Sequence, residues 1–195
     1  MDIQNSQDQL PHGLSLDITE DEKIKHEGGH VILHWLIGNK PVSVEYTANG
    51  LITNLEQIIN TDEQPWQHIM ALLAGYMAEN NNEILLEVSE IINDMKYACN
   101  QYFANDSDSF RVFNYLLNID GSLLWTCAMA SSNILDLCQD LLDDFVMRFK
   151  EENRLNSEEI QEMFASWDNT KNWSKEEKLN ILKTKFEEMR GISPY

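Results

Sequence analysis

The chain has 195 residues, with 33 Asp and Glu against 14 Lys and Arg, a formal charge of −19. That balance serves solubility and disfavours nucleic acid and anionic membrane surfaces, which need a positive footprint. The length suits one domain whose core needs no disulfide staples, and Cys99, Cys127 and Cys138, without CxxC spacing and set in helical, partly apolar patterns, read as buried free thiols.

No basic stretch followed by an apolar one marks secretion, and no Arg-rich, acid-poor presequence is visible. No apolar run reaches the length of a membrane span. Together with the free thiols, this gives an expectation of a cytoplasmic protein.

In chain order, residues 1–18 are polar and carry a Pro11-His12-Gly13 turn, the pattern of a mobile leader. Thr19-Glu20-Asp21-Glu22 is a capping box, and Gly38 stands where a left-handed C-cap belongs. Between them the spacing predicts a helix from about residue 20 to about residue 37. Inside it lies His26-Glu27-Gly28-Gly29-His30, an H-E-x-x-H sequence. Residues four apart share a helix face, so both imidazoles can reach one ion, and the intervening Glu can take a proton from a water on that ion. Two mid-helix glycines cost about 1 kcal/mol each against alanine, which points to something packed very close at that place.

A catalytic zinc site needs three protein ligands and an open position. His34 continues the spacing but lies about 12 Å along the axis from His26, too far for one ion. His12 and His68 have no partner at metal spacing. A downstream carboxylate remains, with Glu79, Glu83, Glu87, Glu90 and Asp94 as candidates.

After the metal helix, Val42, Val44 and Tyr46 alternate with Ser43, Glu45 and Thr47, Asn49-Gly50 signals a type I′ turn, and Leu51-Ile52-Thr53 returns. This predicts a small hairpin that either lines the cleft, pairing an extended peptide on its edge, or simply covers core. The remainder reads as helical. A second capping box, Thr61-Asp62-Glu63-Gln64, precedes Pro65 and a helix to about residue 79; others span about 83–103 and about 106–118. A long helical pattern runs from Gly121 to about residue 152, with an interruption expected at Ser131-Ser132-Asn133. Asn156-Ser157-Glu158-Glu159 and Ser174-Lys175-Glu176-Glu177 start two last amphipathic helices.

In this order of elements the chain resembles the peptidase domain of the FtsH-type ATP-dependent zinc metalloproteases. The likeness is carried by His26-Glu27-Gly28-Gly29-His30, the β segment over 42–53, the small-residue stretch Leu73-Ala74-Gly75-Tyr76-Met77-Ala78-Glu79, and Asn93-Asp94 before Met95-Lys96-Tyr97-Ala98. It covers residues 20 to about 105 with clear motifs and the helical region to about 150 more loosely. In the family the Asp of the Asn-Asp pair is the third zinc ligand, so the resemblance implies Asp94. The family's Pro-Arg-Gly is replaced by Tyr46-Thr47-Ala48-Asn49-Gly50, and its Gly-Ala-Ser by Glu90-Ile91-Ile92. No G-x-x-x-x-G-K-[S/T] phosphate loop occurs, so ATP dependence does not carry over.

The resemblance implies a mainly α, helical zincin-like metallopeptidase domain with one small β-hairpin after the H-E-x-x-H helix. The expected organisation is a mobile polar leader (1–18), an FtsH-peptidase-like zinc domain (19–152) and a C-terminal helical extension (153–195) packed on the same domain. Zn2+ is the expected cofactor, held by His26, His30 and Asp94, with Glu27 as general base. The expected substrates are peptides or unfolded protein segments, with room for a separate ATPase partner and for homo-oligomers. The alternative is a catalytically impaired peptidase-fold protein acting as a binding or regulatory module, its cleft altered at the two replaced motifs.

Overall fold

A computed structural model describes residues 19–48, 50–56, 65–79, 121–171 and 173–192. The leader, the 61–64 capping box, the helices expected between 83 and 118, Asp94 and Cys99 lie outside the described residues.

The chain is mainly helical, with a small antiparallel sheet. Helix α1 (Glu20–Leu36) begins as its sequence dictates. The Thr19 hydroxyl accepts from the Glu22 amide at 3.3 Å, and the Glu22 carboxylate accepts from the Thr19 amide at 2.6 Å, which satisfies two amides that the helix itself cannot. Gly38, at φ 92°, takes the left-handed turn that ends it.

Strand β1 (Pro41–Thr47) and strand β2 (Gly50–Leu55) pair antiparallel, with Thr47 opposite Gly50 and Val44 opposite Thr53. Gly50 has φ 116°, a conformation that a side chain would oppose; Asn49 lies outside the described residues.

The sequence gives a hairpin, but among the described residues the sheet has three strands in the order β2-β1-β3. Strand β3 (Arg154–Asn156) pairs with the far edge of β1, Leu155 facing Val44. Three residues are too few for alternation to be read, and the strand exists because Leu155 reaches the core.

Helix α2 (Pro65–Glu79) packs along α1. Helices α3 (Gly121–Leu137) and α4 (Gln139–Glu152) correct a second expectation, since the break between them falls at Cys138 and not at Ser131-Ser132-Asn133. The Ser131 hydroxyl bonds back to the Cys127 carbonyl at 2.8 Å and to the Met70 carbonyl at 3.0 Å. The Asn133 amide donates to the Met129 carbonyl at 2.9 Å, so these polar side chains are satisfied within a continuing helix. Helix α4 ends at Asn153, left-handed at φ 58°. Helices α5 (Ser157–Lys171) and α6 (Lys175–Arg190) start at the expected places, α6 with a Ser174–Glu177 capping box.

One core joins these elements. Ile32 and Leu33 of α1, Met70 of α2, Ile134 of α3, Phe145 of α4, Phe164 of α5 and Leu182 of α6 are all fully or almost fully buried. Trp35 stacks on Phe164 at 4.2 Å, and the Lys178 ammonium sits 3.7 Å from the Trp35 ring centroid while bonding Asp168 at 2.6 Å. That buried cation is thereby paired, which offsets its desolvation.

The two mid-helix glycines of α1 are explained by contact on both sides. A Cβ at Gly28 would lie 2.7 Å from Leu142 and 2.8 Å from Phe145 of α4. A Cβ at Gly29 would lie 2.3 Å from the Ala74 carbonyl oxygen of α2, a backbone atom that cannot turn aside. Without side chains at these positions, α1 lies close between α2 and α4.

Candidate metal centre

His26 and His30 lie one turn apart on α1, and their Nε2 atoms face each other at 3.0 Å. Each ring is fixed from its other side by α2. His30 Nδ1 lies 2.8 Å from the Ala71 carbonyl oxygen, and His26 Nδ1 meets a carboxylate oxygen of Glu79.

These contacts assign the protons. A carbonyl only accepts, so His30 Nδ1 carries the hydrogen. Burial, with His26 alongside, pushes the His30 pKa down to about 3, so the ring is neutral near pH 7 and its Nε2 holds a lone pair. An ionised carboxylate also only accepts, so His26 Nδ1 donates to Glu79 and its Nε2 is the ring nitrogen turned toward His30. Two ring nitrogens 3.0 Å apart either share a proton as a hydrogen bond or, with both rings neutral, direct lone pairs that a cation placed against both would satisfy. Tetrahedral zinc with bonds of about 2.05 Å sets its ligand nitrogens about 3.3 Å apart, close to the spacing here. A carboxylate and a main-chain carbonyl on the distal nitrogens are the partners that metal-bound imidazoles usually have.

A glycine leaves the space. A Cβ at Gly75 would stand 2.6 Å from both Nε2 atoms and 2.7 Å from His26 Cδ2. The small-residue stretch of α2 thus serves packing twice, Ala74 against Gly29 and Gly75 against the imidazole pair. Tyr76 adds an edge contact to His26, with ring centroids 5.0 Å apart.

Glu27, next along α1, turns to the sheet, where its Oε2 accepts the Thr53 hydroxyl of β2 at 2.6 Å. Burial raises its pKa above the usual carboxylate value; the Thr53 hydrogen bonds and His26 oppose that rise. A carboxylate with raised basicity is suited to accept a proton from water near neutral pH.

His34 belongs to a different environment. It is buried, its Nδ1 accepts from the Asn39 amide at 2.9 Å, and its pKa is pushed down to about 4 by burial and by nearby His68. Burial also lowers His68, whose Nδ1 has no hydrogen-bond partner among the described residues.

Among the described residues no group of three His, Cys, Asp or Glu side chains is placed to hold a metal ion. Asp94, Glu83, Glu87 and Glu90 lie outside those residues. Glu79, one of the carboxylates considered as third ligand, is engaged on the Nδ1 side of His26, remote from the Nε2 pair. Sequence reading passed over Gly75, Thr53 and the Ala71 carbonyl. Gly75 stood inside the small-residue stretch, and Thr53 stood as the polar member of the file Leu51-Thr53-Leu55, but neither signal names its partner.

No protein-family model matches the chain, and no curated protein matches it.

Proposed function

We propose that the chain is a zinc-dependent metallopeptidase that hydrolyses peptide bonds of peptides or unfolded protein segments, with a zincin-like site of the kind found in FtsH-type proteases. The observation that carries this reading is the opposed Nε2 pair of His26 and His30, each ring locked through Nδ1 by an acceptor on α2. His26 and His30 would hold the metal through Nε2, with Asp94 as the third ligand that the resemblance implies. Bound zinc supplies an acidified water and an electrophile for the scissile carbonyl.

The chain's own groups do the remaining work. Glu27 takes the proton of the attacking water and returns it to the leaving amine. Glu79 and the Ala71 carbonyl keep the imidazoles in one tautomer and one orientation. Among the described residues strand β2 pairs only with β1, and its Thr53 meets Glu27. An extended substrate added along its outer edge would be held over the site by main-chain hydrogen bonds.

Among the described residues no helix is long and apolar enough to cross a membrane. Free buried thiols at Cys127 and Cys138, both pushed up to about 12 by burial, suit a reducing, cytoplasmic setting. Lacking a phosphate loop in its 195 residues, the chain is assigned loose substrates, or a separate ATPase partner for folded ones.

The test is zinc content of the purified protein together with casein cleavage, with and without chelator. Zinc near one equivalent and chelator-sensitive cleavage are expected, and Glu27→Gln should keep the zinc and lose cleavage by at least about a hundredfold. Tight zinc with no cleavage of any substrate would instead favour the binding-module alternative.

A further inference from the structure

Thr53 occupies a position where the sheet calls for an apolar side chain. It stands opposite Val44, which is completely buried, and directly opposed residues of an antiparallel pair project to the same face. Its neighbour on that face of β2, Leu51, packs against the core. A valine would match threonine in volume and satisfy the pattern. The hydroxyl instead reaches Glu27 Oε2 at 2.6 Å, a short bond of the charge-assisted kind.

We propose that Thr53 is a positioning residue for the hydrolysis assigned above, its hydroxyl holding the Glu27 carboxylate in the orientation from which it takes the proton of the attacking water. The inference rests on the hydrolase reading. A glutamate side chain has several rotatable bonds, and a base that must sample them spends little time in reach of its proton. Tying the carboxylate to the sheet removes that freedom. The tie comes from β2, the strand proposed to register the substrate, so the base and the scissile bond are held by one element. The Thr53 hydroxyl bonds Glu27, which is not among the proposed zinc ligands, so its loss should spare zinc.

Three substitutions separate this role from a packing role. Thr53→Val keeps volume and loses the hydroxyl, Thr53→Ala loses both without overpacking, and Thr53→Ser keeps the hydroxyl. With casein-derived peptide as substrate, Thr53→Val and Thr53→Ala should retain zinc stoichiometry and KM while kcat falls about tenfold, and Thr53→Ser should recover most of kcat. A second readout needs no activity. In thermal unfolding of the metal-free protein, Thr53→Val and Glu27→Leu should lower Tm less together than the sum of their separate effects, because each removes the same contact. A wild-type kcat in Thr53→Val, failure of serine to rescue, or additive Tm shifts would overturn the proposal. A wild type that holds zinc and cleaves nothing would overturn the hydrolase reading along with it, whereas an active wild type with an equally active Thr53→Val would overturn the Thr53 role alone.

Discussion

Replacing Gly75 by alanine adds one methyl group to α2 and should abolish zinc binding at the proposed metal site while sparing the fold. The new Cβ would stand 2.6 Å from Nε2 of both His26 and His30. An ordinary contact is about 3.4 Å or more, so each ring must retreat by about 0.8 Å. The rings are not free ends that can swing away, since Glu79 and the Ala71 carbonyl hold their distal nitrogens. Metal–ligand distances tolerate only about 0.2 Å, so a displacement of this size removes both bonds from range. Zinc affinity should fall by at least about a hundredfold. The fold should change little by comparison. Alanine is worth about 1 kcal/mol over glycine in a helix, against an overpacking cost of about 1–3 kcal/mol. Titration calorimetry reads the affinity, and thermal melts with and without zinc read the linkage. Wild-type protein at a hundred times Kd gains about 2.7 kcal/mol from zinc, and Gly75→Ala should gain close to none. One tightly bound zinc in Gly75→Ala, with a metal-free Tm near that of wild type, would refute the placement of metal at the Nε2 pair.

Other consequences are as direct. Gly29→Ala drives a Cβ to 2.3 Å from the Ala74 carbonyl oxygen, and should destabilise the metal-free protein by about 2 kcal/mol despite the helix preference of alanine; a denaturant melt that shows no loss would refute the close approach of α1 and α2. Asp94→Ala should weaken zinc binding itself, and unchanged zinc stoichiometry would pass the role to Glu90 or Glu87. In metal-free protein, His30 and His34 have folded pKa values of about 3 and about 4, below the ordinary 6.5, so the unfolded chain takes up protons that the folded one does not. Stability is therefore unaffected by these rings above pH 6.5 and falls with pH below it, down to about 4 for His34 and about 3 for His30, at up to about 1.4 kcal/mol per pH unit for each. Proton resonances of the two rings should hold their neutral positions down to pH 5, and titration near 6.5 in the folded protein would refute their burial.

Much of the architecture was written in short-range pattern. The Thr19–Glu22 box, Gly38 and the i, i+4 histidines place a helix with two imidazoles on one face, because caps and helix faces are decided within four residues. Alternation from Val42 to Thr47 gave the hairpin on the same ground, although Gly50 already pairs with Thr47 in β2 instead of forming the two-residue turn expected at Asn49-Gly50. Strand β3 and the break at Cys138 were hidden, since three residues show no period and the serines expected to interrupt the helix are satisfied by carbonyls within it and on α2. Everything that turns the two histidines into a centre came from afar. Glu79 lies 53 positions from His26, Ala71 lies 41 from His30, and Thr53 lies 26 from Glu27. Gly28 and Gly29 announced that something must come close, yet only the packing of α1 between α2 and α4 decided what did. Which carbonyl, which carboxylate and which hydroxyl meet those rings is a property of how helices and strands settle against one another, and a local pattern does not encode it.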